Sequence, residues 1–286
     1  MKIKALFLFF IVSFFCSLNA QEIFFSDKEK FFKSAIVGFE DPIMKKEIPA
    51  RIIIPESAQE DNEKRFPVIY LLHGHGGDYN YWPLQAKPNL QEIADKKNII
   101  FVSIDGNIDS WYWDSPVDKN SQYETCITKV LIPFIDAFYP TIKDKKARAI
   151  TGLSMGGHGA LWLGFRHTDL FGAFGSICGG VDIRPFIEEW GMAKYLGDYE
   201  SNKEVWDNHT VINLVKNAKP NESAIIIDCG YQDFFYQVNE ALHKELLSYG
   251  INHDYITREG AHNEAYWSNS LDYQILFFEK FFKKAK

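Results

Sequence analysis

The chain has 286 residues, of which 46% are hydrophobic and 24% are charged, and its formal net charge is −7. This hydrophobic content is enough to bury a large core, and it excludes a disordered or collagen-like chain. The excess of acidic over basic side chains argues against nucleic acid as a partner, because phosphate binding requires a basic surface.

The first twenty residues, MKIKALFLFFIVSFFCSLNA, predict a signal peptide. Lys2 and Lys4 precede an apolar run at 5–15, and small residues follow at 17–20, as in a cleavable secretory leader. A membrane anchor is the alternative, but the run is short for a spanning helix. Cleavage near Ala20 would leave residues 21–286 as a secreted or periplasmic chain without stable membrane insertion.

The cysteines of that mature chain number three, and an odd number does not fit a disulfide scaffold. Cys178 and Cys229 each end an apolar run, so they could lie on neighbouring strands. The pattern favours two buried free thiols over a bond between them and leaves the bond open.

Beyond the leader, short apolar runs alternate with helical patterns, which predicts an α/β fold with a mostly parallel sheet covered by helices on both faces. Runs rich in β-branched and aromatic residues predict buried strands at 67–74, 98–106, 147–154, 172–180 and 223–230. An antiparallel pair at 35–42 and 50–56 precedes them, and a short strand at 253–260 follows. Helices are predicted at 89–97, 122–138, 156–166, 234–249 and 268–284. No linker interrupts the pattern, so residues 21–286 are expected to form one domain.

Residues 181–219 break this alternation, because they are rich in aromatic side chains but have little strand character. An insertion of that length usually covers or shapes a site. We therefore expect a cap over the carboxyl edge of the sheet.

The motif Gly152-Leu153-Ser154-Met155-Gly156 matches the nucleophile elbow G-x-S-x-G. It follows a predicted strand and opens a predicted helix, which is the context that the motif requires. The flanking glycines allow strand and helix to approach closely, while the turn presents the serine hydroxyl above the sheet. Ser154 is therefore predicted to be a catalytic nucleophile.

A serine nucleophile needs a base and an acid, which in this fold order follow it along the chain. His262 lies in a loop after the last predicted strand, where the base is expected. The acid is Asp233 or Asp228, and Asp233 is preferred because it lies in the turn beyond the strand, within reach of the histidine.

A tetrahedral intermediate also needs N–H donors for its oxyanion. The residue after the nucleophile, Met155, offers one, and the glycine-rich loop LLHGHGGDYNYW offers the second, for which we select the His75 amide. His73 and His75 could instead chelate a metal from one side of a strand. Their glycine-rich setting favours a loop, so no metal site is predicted.

Taken together, these motifs resemble the putative-esterase family of α/β-hydrolases. The motifs are PVIYLLHGHGG, DGNIDSWYWDSP, SQYE, ITGLSMGGHGAL, CGYQDFF and GAHNEAYW, which span most of the mature chain. The family includes S-formylglutathione hydrolases, mycolyltransferases, enterochelin-type esterases, and feruloyl and acetylxylan esterases. The resemblance implies an α/β-hydrolase fold, no cofactor, and the roles given above for Ser154, Asp233, His262, His75 and Met155.

One departure from the family pattern affects the histidine loop. Many relatives have a glycine before the histidine and a tryptophan soon after it. Here Ala261 precedes His262 and Trp267 follows five residues later. The shape of the leaving-group side is therefore not implied by the resemblance.

The expected function is a secreted serine carboxylesterase that acts through an acyl-enzyme on a small-molecule or polysaccharide-linked ester. Flat aromatic rings near the serine would suit sugar faces or an aryl acyl group, which favours acylated carbohydrates. The tryptophans expected to line the site are Trp111, Trp113, Trp190, Trp206 and Trp267. The alternatives are an acyltransferase of the mycolyltransferase type, a general short-chain or siderophore esterase, and a binding module on an inactive esterase fold.

Overall fold

A computed structural model of the chain describes residues 34–60 and 63–284, and the predicted signal peptide at 1–20 lies outside them. In this part of the chain one sheet contains eight strands. They are β1 (Ser34–Asp41), β2 (Lys46–Ile53), β3 (Val68–Leu72), β4 (Ile100–Ile104), β5 (Arg148–Gly152), β6 (Ala173–Ile177), β7 (Ala224–Asp228) and β8 (Asp254–Ile256).

The strands lie in the order β1-β2-β4-β3-β5-β6-β7-β8, which agrees with the predicted mixture of pairings. β1 pairs antiparallel with β2, and β2 pairs antiparallel with β4. The remaining neighbours are all parallel. Every residue of β3, β4, β5 and β6 is buried, which explains why their sequences are mostly apolar and do not alternate with polar residues.

The start of β2 differs from the prediction, which placed this strand at 50–56. The strand begins at Lys46 because a tight turn joins it directly to β1. The Asp41 carboxylate accepts hydrogen bonds from the N–H groups of Ile43 and Met44, and Lys45 has a positive φ of 52°. An Asp that bonds to the backbone two residues on stabilises such a turn.

Helices cover both faces of the sheet, as predicted. Two buried clusters lie on its opposite sides, and no helix within residues 34–60 and 63–284 is long and apolar enough to cross a membrane. The helices are α1 (Ser57–Glu60), α2 (Leu90–Lys97), α3 (Tyr123–Thr125), α4 (Ile132–Phe138), α5 (Met155–Arg166), α6 (Ala193–Leu196), α7 (Lys203–Asn208), α8 (Tyr236–Ser248) and α9 (Glu264–Lys284), with π-helical turns at Tyr81–Ala86 and Cys126–Leu131 and 3₁₀ turns at Lys145–Ala147, Arg184–Phe186 and Val211–Asn217.

Helix α9 buries the predicted apolar stripe, formed by Leu271, Ile275, Phe278 and Phe282, against the sheet. It begins at Glu264, four residues before the predicted start. Asn263 precedes that first turn: its side chain accepts a hydrogen bond from the Tyr266 N–H, and its carbonyl accepts one from the Trp267 N–H. The helix therefore starts immediately after the loop that carries His262.

The segment 181–219 contains short helical turns and no strand, in agreement with the predicted insertion. Its aromatic residues divide into two groups. Tyr195 and Trp206 are buried, and they pack with the cluster on the α5 side of the sheet. Trp190 is only partly buried and lies beside Phe234, at the carboxyl edge of the sheet.

Candidate active site

Ser154 lies in the turn between β5 and α5, in a backbone conformation that few non-glycine residues adopt. Its φ is 56° and its ψ is −121°. The Ser154 N–H donates to the carbonyl of Ile177 at the end of β6, over 2.9 Å, and the Ser154 carbonyl accepts from the His158 N–H over 3.0 Å. These bonds fix the strained residue between strand and helix.

The glycines beside Ser154 are required by close contacts between backbones. A Cβ atom at Gly156 would lie 2.3 Å from the carbonyl oxygen of Leu72, and one at Gly152 would lie 2.4 Å from the carbonyl oxygen of Gly156. Any side chain at either position would push helix α5 away from β3. The spacing of glycines around the serine therefore reflects the packing of this turn.

Two hydrogen bonds connect the side chains of Ser154, His262 and Asp233. His262 Nε2 lies 2.9 Å from Ser154 Oγ, and His262 Nδ1 lies 2.7 Å from Asp233 Oδ2. The second carboxylate oxygen of Asp233 accepts from the Phe235 N–H over 2.8 Å, which orients the carboxylate. A serine, an imidazole and a carboxylate linked in this order can remove the hydroxyl proton as the oxygen attacks.

The environment of His262 has two opposing effects on its pKa. Burial lowers the pKa because it disfavours the charged imidazolium. The hydrogen bond and negative charge of Asp233, together with the neighbouring Cys178 side chain, outweigh burial, so the pKa of His262 lies above its usual 6.5. Asp233 therefore stabilises the imidazolium that forms when His262 takes a proton.

Asp228, the other candidate for the acid, lies away from His262. Its carboxylate accepts hydrogen bonds from the Tyr266 hydroxyl over 2.6 Å and from Arg258 over 2.8 Å. Of the two candidates, only Asp233 hydrogen-bonds to the imidazole.

The two residues whose amides are expected to be oxyanion donors, His75 and Met155, lie on separate elements next to Ser154. His75 is in the loop after β3 and lines the same pocket as Ser154, while Met155 is the first residue of α5. Among residues 34–60 and 63–284, neither N–H donates to a backbone carbonyl or to a side chain. Both remain available to an incoming oxygen atom.

The imidazole of His73 is occupied by the protein itself. Its Nε2 accepts from the Gly106 N–H over 2.8 Å, and its Nδ1 lies 2.7 Å from the Gly74 carbonyl oxygen. These two hydrogen bonds are those of a neutral imidazole, in which Nδ1 donates and Nε2 accepts, so both ring nitrogens of His73 are occupied. Burial also lowers the pKa of His73. His73 has no free lone pair for a metal, so it cannot form with His75 the metal-binding pair that was considered as the alternative to a loop.

His158, one turn after the serine, also has a structural setting. It is buried, its Nε2 accepts from the Trp113 indole N–H over 2.8 Å, and its Nδ1 lies 2.9 Å from the Gly180 carbonyl. Burial lowers its pKa to about 3, so the ring is neutral. His158 thereby ties α5 to the segment after β6.

One group of potential metal ligands exists in the described part of the chain: atoms of Cys178, Asp233 and His262 lie within 4.8 Å of one another. Asp233 and His262 are already hydrogen-bonded to each other. Burial also raises the pKa of the Cys178 thiol. These residues therefore fit a hydrogen-bonded site better than a metal centre.

A pocket of about 180 Å³ opens above Ser154. Its walls are largely aromatic: the Phe234 ring lies 4.3 Å from the His262 ring, the Trp267 ring 5.0 Å from it, and Trp190 stacks on Phe234 at 5.9 Å. The lining residues are Gly74, His75, Gly77, Tyr81, Leu153, Ser154, Trp190, Phe234, His262 and Trp267.

Of the five tryptophans expected at the site, Trp190 and Trp267 line the pocket and three do not. Trp111, Trp113 and Trp206 are at most 1% exposed, so substrate cannot contact them. Trp111 and Trp113 stack on each other and enclose His158 edge-on, and the Trp206 indole donates to the Gly197 carbonyl. These three residues belong to the core, which corrects the prediction.

Two aromatic residues at the pocket were not predicted. Phe234 is 51% exposed and directly follows Asp233, and Tyr81 lies at the end of the glycine-rich loop, where the π-helical turn begins. Both residues could have been predicted from their positions in the sequence, because each stands within or next to a motif that was assigned to the site.

Comparison with known proteins places this geometry in a family. Residues 42–278 match the model of the family described as "Putative esterase". The chain belongs to this family. Family members named esterase are serine hydrolases of ester bonds, and this chain is accordingly a serine hydrolase that acts on carboxylic esters. Its sheet and helices form the α/β-hydrolase fold that was predicted.

Individual relatives support the same assignment. The chain is 24% identical to an acetyl esterase of Caldicellulosiruptor saccharolyticus, over 81% of this chain and 92% of the relative. It is 34% identical to an endo-1,4-beta-xylanase/feruloyl esterase of Xylanibacter ruminicola, over 49% of this chain and only 20% of that longer protein. A solved ferulic acid esterase has the same fold, with a TM-score of 0.76, 24% identity, and coverage of 88% of this chain and 100% of the other.

Proposed function

We propose that this protein is a secreted serine carboxylesterase that hydrolyses acyl groups from carbohydrates, with Ser154 as nucleophile, His262 as base and Asp233 as acid. The observation that carries the proposal is the hydrogen-bonded chain from Ser154 through His262 to Asp233, at the base of an aromatic pocket.

In the first half-reaction, Ser154 Oγ attacks the ester carbonyl carbon while its proton moves to His262 Nε2. The carbonyl oxygen becomes an oxyanion, which accepts hydrogen bonds from the N–H groups of His75 and Met155. Asp233 holds the imidazolium in place. When the carbon–oxygen bond to the alcohol breaks, His262 gives its proton to the leaving alkoxide, and an acyl group remains on Ser154.

In the second half-reaction, a water molecule replaces the alcohol. His262 takes a proton from water, and the oxygen attacks the acyl carbon to form a second oxyanion at the same two amides. Collapse of this intermediate returns the proton to Ser154 Oγ and releases the carboxylic acid. The protein supplies every group that these steps need, so they require no cofactor.

Two features support a carbohydrate ester as the substrate. Trp190, Phe234 and Trp267 present aromatic surface at the pocket, which suits either a sugar face or an aryl acyl group. The names of two relatives, an acetyl esterase and a xylanase/feruloyl esterase, indicate substrates with acetyl and feruloyl groups. The pocket of about 180 Å³ beside Ser154 offers space for an acyl group.

The proposal of secretion rests on the leader at residues 1–20. Expression with this leader in a bacterial host should yield an extracellular or periplasmic protein whose first residue follows Ala20. N-terminal sequencing of that protein is the measurement, and an intact Met1 on the active protein would contradict it.

A substrate panel tests the proposed function. It contains methyl ferulate, acetylated xylan, short-chain nitrophenyl esters and a siderophore ester, each assayed with the wild type and with Ser154→Ala. We expect turnover of at least one carbohydrate-type substrate that depends on Ser154. Turnover of the nitrophenyl esters alone would contradict the carbohydrate assignment, and transfer of acyl groups to added sugars in preference to water would indicate an acyltransferase.

A further inference from the structure

Asp228 connects both ends of the segment that carries His262. The segment 258–266 begins two residues after the end of β8 and runs into the first turn of α9, which starts at Glu264. One carboxylate oxygen of Asp228 accepts from Arg258 over 2.8 Å, and the other accepts from the Tyr266 hydroxyl over 2.6 Å. The Asp228 side chain has no solvent exposure, and Tyr266 is 5% exposed.

Backbone contacts hold the same segment against the turn that carries Asp233. The Tyr231 N–H donates to the Arg258 carbonyl and the Gln232 N–H to the Gly260 carbonyl, each over 3.0 Å. Gly230 and Gly260 touch through their backbones: a Cβ atom at Gly230 would lie 2.2 Å from the Gly260 carbonyl oxygen. These contacts hold the start of the His262 segment against residues 230–232.

The packing of Tyr266 leaves the His262 loop little freedom. A Cβ atom at Gly260 would lie 2.0 Å from the Tyr266 ring, and Gly260 has a φ of +151°. Arg258 lies over the Tyr266 ring at 4.6 Å and donates a second hydrogen bond, of 2.7 Å, to the Ser270 hydroxyl. The Tyr266 ring thus fits between the guanidinium of Arg258 and the backbone two residues before His262.

The charge on Asp228 is important for this arrangement. Burial raises the pKa of Asp228, while the hydrogen bonds from Tyr266 and Arg258 stabilise its carboxylate. Removal of either partner would leave a buried carboxylate partly unsatisfied, which is costly.

We propose that Asp228, Arg258 and Tyr266 form a positioning network that sets the place of the His262 imidazole relative to Ser154 Oγ. These three residues do not touch the reacting atoms. Asp233 orients the imidazole directly, and Asp228 fixes both ends of the segment on which the imidazole stands. The inference rests on the proposed roles of Ser154 and His262.

The expected effect of disturbing this network is on the rate of chemistry and not on substrate binding. A shift of about 1 Å in a catalytic group can cost about 10²-fold in rate. We therefore expect Tyr266→Phe, which removes only the hydroxyl, to lower kcat by about 10- to 100-fold while KM stays within about twofold.

A double-mutant cycle separates positioning from a general structural role. Tyr266→Phe and Asp228→Asn are each made in the wild type and in His262→Ala, and kcat is measured with an activated nitrophenyl ester. Tyr273→Phe is the matched control, because the Tyr273 ring also lies over Arg258, at 4.9 Å, but is 47% exposed. Tm is measured for every variant.

The proposal expects a loss of kcat in the wild-type background that disappears in His262→Ala, and no loss in Tyr273→Phe. A loss of equal size in both backgrounds, or an unchanged kcat in folded Tyr266→Phe and Asp228→Asn, would overturn it. Failure of the proposed function has a different signature, since activity would then survive Ser154→Ala and His262→Ala themselves.

Discussion

Gly156, the second residue after Ser154, is in direct contact with the carbonyl oxygen of Leu72 at the end of β3: a Cβ atom at Gly156 would lie only 2.3 Å from it. Because β3 ends there, the next residues along the chain lead to His75. The contact therefore holds the start of α5, where Met155 lies, against the end of the strand that leads to His75. The packing of one glycine thus fixes the two elements that carry the proposed oxyanion donors against each other.

Ser154→Ala is expected to abolish ester turnover with little effect on folding. The loss should be on the order of 10⁴-fold or more, because no other residue replaces the nucleophile. Turnover of a nitrophenyl ester, together with labelling by a fluorophosphonate probe, is the measurement, and circular dichroism controls for folding. Activity close to that of the wild type would refute the assignment of Ser154.

Asp233→Asn should cost far more activity than Asp228→Asn. The amide at 233 would favour the wrong tautomer of His262, with a loss on the order of 10⁴-fold, as in other triads. Asp228→Asn should cost about 100-fold at most, because it moves the loop without touching the imidazole. The two kcat values are compared at one pH. Equal losses, or the reverse order, would assign the acid role to Asp228.

On the acid side of the pH profile, kcat/KM should decline, and the midpoint of this acid limb should lie above pH 6.5. His262 acts as a base only when it is neutral, and its pKa is raised, so kcat/KM should rise as the pH increases through that pKa. In Asp233→Asn the favourable charge is lost while burial remains, so the limb should move to lower pH. Profiles of kcat/KM for both proteins test this, and an acid limb that stays in place would contradict the assigned cause.

Replacement of Trp190 and Trp206 by alanine should separate substrate binding from stability. Trp206→Ala removes a fully buried ring and should lower the free energy of unfolding by about 3–5 kcal/mol. Trp190→Ala should instead raise KM for an aryl ester more than for an acetyl ester. Urea denaturation and kinetics measure the two effects, with exposed Tyr249→Ala as the control. A Trp190 variant with unchanged kinetics on every ester would remove it from the substrate site.

His75→Ala should keep most of the activity, within about threefold, because the proposed oxyanion donor is the backbone N–H and not the ring.

Activity of the wild type should also survive incubation with a chelator, since both nitrogens of His73 are already hydrogen-bonded. The two measurements are the activity of His75→Ala and the activity of the wild type after incubation with a chelator. A large loss in both, reversed by added zinc in the wild type, would restore the metal hypothesis.

The strand pattern and the site motifs were predictable because their physical causes are local. A strand buried on both faces is mostly apolar, and the strained serine turn needs glycines two residues before and after the serine. The hydrogen bond from His262 to Asp233 rather than Asp228 follows the same logic, since a carboxylate beyond a strand end can reach an adjacent loop.

The burial of individual tryptophans could not be predicted in this way. Trp190 and Trp206 occur in the same aromatic segment, and nothing in their immediate sequence distinguishes them. Trp206 is buried because Tyr199 and the Gly197 carbonyl lie against its ring, a contact that exists only after the segment has folded. The early start of α9 depends on Asn263, a single residue whose capping role also depends on the loop before it.

Ser154 and His262 are 108 residues apart along the chain and meet only through a hydrogen bond of 2.9 Å. In an unfolded chain, closing a loop of this length carries a large entropic cost, so the serine would rarely encounter its base. Covalent capture by an electrophile that needs an activated serine is therefore a property of native molecules alone. The amount of captured protein therefore counts the correctly folded molecules of a preparation, and its ratio to the total protein gives the folded fraction.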